Sequence, residues 1–208
     1  MEIKTKIPIS REILVDMETP LSVYRKLADG PYTYLFESVE GGENWARYSL
    51  IGLESSKIIF VRKNQIEVEL NGEIIESFHC DDPLDYIDKL HKSFEIEQID
   101  DLPLFNGGLV GYFGYDCVRY IESRLVDSEP PDLIGTPDAL FMISDEVAVF
   151  DNLKNKLHLI VLVESEDDQE KANMRLDELV DTLKESLPFE DFNKPVKSIE
   201  ETDFVSGF

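Results

Sequence analysis

The order of sequence elements predicts an α+β chain of 208 residues, with a mostly antiparallel β-sheet and helices on one side. Strand-like runs come in consecutive groups and do not alternate strictly with helical runs. Asn71-Gly72 separates two alternating segments, and such a pair marks a tight hairpin because both turn positions want positive φ. Residues 159–163 are apolar at every position, the pattern of a strand covered on both faces, so a sheet with one helical layer needs a second cover.

Taken in order, residues 21–28 read as a short amphipathic helix with Leu21, Tyr24 and Leu27 at helical spacing, Thr19-Pro20 as cap and first turn, and Gly30-Pro31 as the stop. Strands are expected at 32–37 and 48–52, joined by the acidic, glycine-containing loop 39–44, then at 57–62, 65–70 and 73–78. Asp81 or Asp82 caps a helix from Asp82-Pro83 to about Phe94, with Leu84, Ile87, Leu90 and His91 on one stripe. The segment 104–115 alternates Gly107, Gly108, Gly111 and Gly114 with Leu109, Val110, Tyr112 and Phe113, which implies close backbone approach or bulges. Asp116 is placed to cap a helix to about Leu125, with Arg119 and Glu122 as a pair three residues apart. After the loop marked by Pro130-Pro131 and Pro137 come strands at 139–143, 147–150 and 157–163. The helix at 169–186 turns Met174, Leu176, Leu179, Val180 and Leu183 inward. Residues 188–195 read as a Pro-bounded linker, and the acidic runs 164–168 and 198–203 as solvated positions.

Charge excludes several functions. With 20 Lys+Arg against 44 Asp+Glu the net charge is −24, and no cluster of cations is available to displace counterions from a phosphate backbone, so a nucleic-acid partner is excluded. An anionic membrane surface is excluded on the same balance. No apolar run approaches the roughly 18 residues of a membrane span, and residues 1–7 lack a secretory apolar core, so the expected location is cytoplasmic. Hydrophobic residues make up 42% of the chain, enough for a core. Cys80 and Cys117 lack CxxC or CxxH spacing and read as reduced thiols.

The search for chemistry finds little. His79, His91 and His158 stand in unrelated contexts without zinc spacing, and read as structural or exposed. Asp81, Asp82 and Asp85 lack the EF-hand pattern and fit helix capping. Gly107-Gly108-x-x-Gly111 lacks the Lys-Ser/Thr of a P-loop, and no GxSxG elbow occurs.

Two longer motifs carry more. Tyr34-Leu35-Phe36-Glu37-Ser38, continuing through Trp45-Ala46-Arg47-Tyr48-Ser49-Leu50-Ile51-Gly52, and Phe105-Asn106-Gly107-Gly108-Leu109-Val110-Gly111-Tyr112-Phe113-Gly114-Tyr115-Asp116 resemble the N-terminal region of the anthranilate synthase component I family, one of the chorismate-utilising synthases. With Glu18-Thr19-Pro20 the resemblance runs through essentially the whole chain. It implies half of that family's two-sheet fold. Residues 1–187 would be the N-terminal regulatory domain, and 188–208 a linker and the start of the C-terminal chorismate-binding catalytic domain, whose motifs do not occur here. The chain is accordingly expected to be inactive alone, with no cofactor of its own and no catalytic residue. The full-length enzyme is expected to use Mg²⁺ and to convert chorismate to anthranilate and pyruvate with ammonia from a glutamine amidotransferase subunit, component II.

The resemblance further implies that free L-tryptophan binds between this region and the catalytic domain and feeds back on the pathway. By motif its site carries over to Leu35, Glu37, Ser38 and Pro20, and further to Arg47, Tyr48 and Ser49. Phe36 stands where many members have a second Leu, which should alter indole packing. An amino-acid ligand needs acceptors around its ammonium, donors at its carboxylate and an apolar slot, and this segment supplies part of each. Other readings are the counterpart region of aminodeoxychorismate synthase component I, where tryptophan is a bound structural element, and a docking module for the amidotransferase. Exposure of the apolar stretches 139–150 and 159–163 is expected to make the chain self-associate.

Overall fold

The computed structural model describes residues 4–37, 47–122, 124–125 and 132–187. The strands form two sheets. Among these residues the first has six, in the order β2 (Tyr34–Phe36), β3 (Tyr48–Gly52), β10 (Glu146–Asp151), β11 (Lys156–Val163), β1 (Lys4–Leu14) and β7 (Phe94–Ile96), and the second five, in the order β6 (Glu73–His79), β5 (Gln65–Leu70), β4 (Lys57–Arg62), β9 (Ala139–Ser144) and β8 (Gly108–Phe113). Pairing is antiparallel except between β1 (Lys4–Leu14) and β7 (Phe94–Ile96). The α+β class and the antiparallel preference are therefore as predicted.

β1 is the one long element that the sequence reading missed, because Pro8 interrupts its alternation of Ile7, Ile9 and Ile13. Proline is tolerated because β7 pairs only with residues 4–6, so beyond Lys6 that edge of β1 lacks a partner strand and no ladder bond is forfeited there. The first helix, α1 (Pro20–Leu27), is closed by a reciprocal cap: Ser22 N–H donates to Thr19 Oγ1 at 3.1 Å, and Thr19 N–H donates to Ser22 Oγ at 2.9 Å. Val23 is its buried residue, whereas Leu21 faces solvent.

Strands β2 (Tyr34–Phe36), β3 (Tyr48–Gly52), β4 (Lys57–Arg62), β5 (Gln65–Leu70) and β6 (Glu73–His79) follow. Asn71 at φ 52° and Gly72 at φ 83° make the predicted β5–β6 turn. Helix α2 (Pro83–Lys92) is capped by Asp82, whose Oδ1 accepts from Asp85 N–H at 3.0 Å, and stops before Phe94, which opens β7. In α2 Ile87 and Leu90 are buried and His91 is exposed.

The glycine-rich motif forms β8 (Gly108–Phe113), an edge strand. A Cβ at Gly111 would overlap the carbonyl oxygen of Leu140 and lie 2.8 Å from Phe141 Cα, so the β8–β9 pairing requires hydrogen there. The helix expected from Asp116 is only a 3-10 turn, Tyr115–Tyr120, without a side-chain cap; Asp116 instead pairs with Arg119 at 3.0 Å. Glu122 pairs with Arg124, so the expected Arg119–Glu122 pair does not form. Pro130-Pro131, the loop 39–44, the linker 188–195 and the run 198–203 lie outside the described residues.

β9 (Ala139–Ser144) and β10 (Glu146–Asp151) are consecutive strands in different sheets, with Asp145 alone between them. The short link between β3 and β4 crosses in the same way. Lys6 Nζ meets Asp145 at 2.5 Å, and Tyr34 Oη bonds Ser144 Oγ at 2.9 Å, tying sheet to sheet at this corner. Burial pushes the Tyr34 phenol up to about 12, so it stays neutral there.

On one face of the first sheet, Ile51, Phe150 and Leu157, Leu159, Val161 and Val163 of β11 (Lys156–Val163) pack under α1 and under α3 (Gln169–Lys184). Lys26 Nζ fastens the two helices by donating to Leu183 O at 2.9 Å. Ile160 and Leu162 face the opposite way with Val147 and Val149, so β11 is covered on both faces as its composition required. In α3 the inward residues are Ala172, Leu176, Leu179 and Leu183, while Met174 is exposed. α2 covers the second sheet over Ile59, Val61, Ile66, Val68 and Phe141. β9, β10 and residues 159–163 are interior, so the apolar surface expected to drive self-association is already buried.

Candidate functional site

The residues that motif reading nominated divide between the two faces of the first sheet. Leu35 pairs with Ile51 and packs on the helix-covered core, behind α1, which Pro20 opens. Phe36 and Glu37 are exposed at the end of edge strand β2. Ser38 lies outside the described residues. Ser49 is buried, and its Oγ accepts from Asn152 Nδ2 at 3.1 Å.

Tyr48 points to the opposite face with Leu50, towards Val149 and Ile160. Beside it the Arg47 guanidinium lies 4.8 Å from the Tyr48 ring centroid, close enough for a cation–π contact. Arg47 Nη2 and Nε donate to one oxygen of Asp151 at 2.7 and 3.1 Å. The other oxygen accepts from Leu153 N–H and Lys154 N–H, both at 3.1 Å. Asp151 is thus a carboxylate with its side chain only 2% exposed, yet supplied with four donors. Burial alone would raise its pKa, but the guanidinium and the two amides outweigh it and hold the group below the usual carboxylate range.

Asp151 and its neighbours close one end of a cleft of about 530 Å³, walled by the first sheet and by residues 100–103. The alternation of Val147 and Val149 ends on Asp151, where an apolar residue would be expected. That break, followed by Asn152, was the available signal for the site. His158, read from sequence as structural or exposed, is in the cleft wall in phase with Ile160 and Leu162. Its side chain is 9% exposed and lies 3.9 Å from Glu12 Oε2. Burial depresses its pKa from 6.5, against the opposing pull of Glu12 and Asp151. The unfolded chain therefore binds a proton near pH 6.5 that the folded chain refuses, and this contribution to stability is lost as pH falls through that range. A histidine NMR titration is expected to place the His158 midpoint below 6.5; a midpoint above it would show the wrong sign.

Among the described residues no group of three or more His, Cys, Asp or Glu is arranged to hold a metal ion. Among those residues, too, no helix is long and apolar enough to cross a membrane.

The profile of the chorismate binding enzyme family matches residues 34–205. Anthranilate synthase component 1 of Pseudomonas aeruginosa is 47% identical over 184 residues, a match covering 88% of this chain and 37% of that protein. The protein of the same name from Neisseria gonorrhoeae is 43% identical over 203 residues, covering 94% and 41% respectively. The crystal structure of anthranilate synthase component I from Streptococcus pneumoniae superposes with a TM-score of 0.57 at 28% identity, over 86% of this chain and 38% of that one. The chain therefore spans well under half the length of the curated relatives it matches.

Proposed function

This chain belongs to the chorismate binding enzyme family, and from that membership we propose that it is the N-terminal, tryptophan-sensing region of an anthranilate synthase component I. The carrying observation is the placement of the Leu35-Phe36-Glu37 segment. It ends edge strand β2 with Phe36 and Glu37 exposed, while Leu35 is anchored on the core beneath α1. A sensing segment needs that combination of a fixed root and an exposed tip.

In this proposal Leu35, Glu37, Ser38 and Pro20 form one wall of the L-tryptophan site together with Ser49 of β3, whose partner Phe150 faces the same core, while Arg47 and Tyr48 stand on the opposite face and would reach the ligand only around the end of the sheet. The other wall comes from a C-terminal catalytic domain that binds chorismate and Mg²⁺. The complete enzyme would be cytoplasmic and would take ammonia from its glutamine amidotransferase partner to make anthranilate and pyruvate, while residues 1–208 alone would not turn chorismate over. Feedback then requires tryptophan to favour one arrangement of the two domains, a coupling of about 1–3 kcal/mol.

Ser38→Phe, made in the polypeptide at its relatives' full length, is expected to leave chorismate turnover near wild type and to raise the tryptophan concentration for half-inhibition about tenfold or more. Equal inhibition of variant and wild type would take Ser38 out of the site.

A further inference from the structure

Pro20, the residue that opens α1, belongs to the proposed tryptophan site, whereas the polar contacts that hold α1 in place lie outside it. Tyr24 and Lys26 are about 200° apart around the helix and so bond to structure on opposite sides of it. On one side Tyr24 Oη donates to Thr33 Oγ1 at 2.9 Å, since the Thr33 hydroxyl gives its own hydrogen to Gly30 O at 2.9 Å. Thr33 immediately precedes β2, which carries Leu35, so α1 is bonded to the lead-in of the sensing segment.

On the other side Lys26 Nζ makes two contacts. It donates to Glu18 Oε1 at 2.5 Å and to Leu183 O at 2.9 Å, with its side chain only 10% exposed. Glu18 stands two residues before Pro20, and its other oxygen accepts from Ser22 Oγ at 2.5 Å, so the first and last turns of α1 both grip this carboxylate. Leu183 lies in the last turn of α3, where carbonyls have no acceptor role left within their own helix. One ammonium therefore joins the approach to Pro20, the body of α1 and the end of α3.

Apolar packing does not do this. Val23 and Ala28 share one cluster with Leu176, Leu179 and Leu183, but such contact is non-directional and leaves a short helix free to shift along its axis. Hydrogen bonds to a charged donor that is largely removed from water have fixed length and direction. On the tryptophan-sensing reading, we propose that Lys26 is a positioning residue of the tryptophan site: through Glu18 it fixes Pro20 at the wall of that site, and through Leu183 it ties this wall to the end of α3, the last described helix before residues 188–208. Without Lys26, Pro20 would lose its fixed distance from Leu35, and tryptophan would be held less tightly while groups in a separate catalytic domain stay as they are.

The test is made in the polypeptide at its relatives' full length. Lys26→Met keeps the apolar stem and removes both hydrogen bonds; the tryptophan concentration for half-inhibition is expected to rise about fivefold or more, with kcat and KM for chorismate near those of wild type. Lys26→Arg keeps a charged donor and should stay within about twofold of wild type. Lys184→Met is the comparison, because Lys184 pairs with Asp181 at 2.7 Å on the exposed side of the same helix end, and it should leave inhibition unchanged. Should Lys26→Met not fold, Glu18→Gln breaks the ion pair, keeps an acceptor for Ser22 and is expected to move half-inhibition in the same direction. An unchanged half-inhibition concentration in whichever of these two variants folds, judged by native circular dichroism, or an equal rise in Lys184→Met, overturns the role of Lys26 and leaves tryptophan sensing standing. A wild type indifferent to tryptophan overturns both.

Discussion

Gly111→Ala is expected to lower stability by about 3 kcal/mol or more. The added carbon would overlap the Leu140 carbonyl oxygen and crowd Leu140 C and Phe141 Cα, each at 2.8 Å. These are backbone atoms of the paired strand, so no rotamer change relieves the contact, and β8 must move off β9. Gly30→Ala supplies the comparison, because its Cβ would meet nothing nearer than Glu54 Oε2 at 3.7 Å; its effect should stay within about 0.5 kcal/mol. Urea denaturation of both variants measures the difference. A Gly111→Ala midpoint equal to that of Gly30→Ala would mean that the strand spacing is not fixed as described.

Asp151→Ala is expected to cost about 2 kcal/mol, since it strands Arg47 and removes the acceptor that closes the turn at Leu153 and Lys154. The turn is exposed and the Arg47 side chain is 30% exposed, so water recovers part of the loss and keeps the figure below that of a sealed ion pair. Asp151→Asn keeps an acceptor for the two amides and should cost less. The sign with pH is definite. Because the folded-state pKa is depressed, the carboxylate's contribution is complete above the unfolded value of about 3.8 and is lost as pH falls through the folded one. Denaturation of Asp151→Asn and wild type at neutral and acid pH should therefore converge at the acid end; a gap that widened on acidification would contradict the assignment.

Much of this architecture was legible in local sequence. Asn71-Gly72 fixed a hairpin through its φ requirement, Asp82-Pro83 a helix start, and the unbroken apolar run of β11 a strand buried on both sides. Most of what escaped depended on partners distant in sequence. Pro8 concealed β1, since its tolerance follows from where β7 stops pairing. Asp116 looked like a helix cap, but the chain there continues only as a 3-10 turn and the carboxylate goes to Arg119. The expected exposure of β9 to β11 failed because the strands divide into two sheets, each with its own helical cover. The polar cleft was hidden for a related reason: Glu12 lies far in sequence from Asp151 and His158, which sit on the two strands of one hairpin, and only strand register sets all three on one face.

As proposed, this region senses free tryptophan on behalf of a catalytic domain. Its most direct test is the tryptophan dose response of anthranilate formation by the polypeptide extended to the length of its relatives, supplied with chorismate, Mg²⁺ and ammonia. A saturable fall in rate is expected as L-tryptophan is added. A rate indifferent to L-tryptophan at every dose would contradict it.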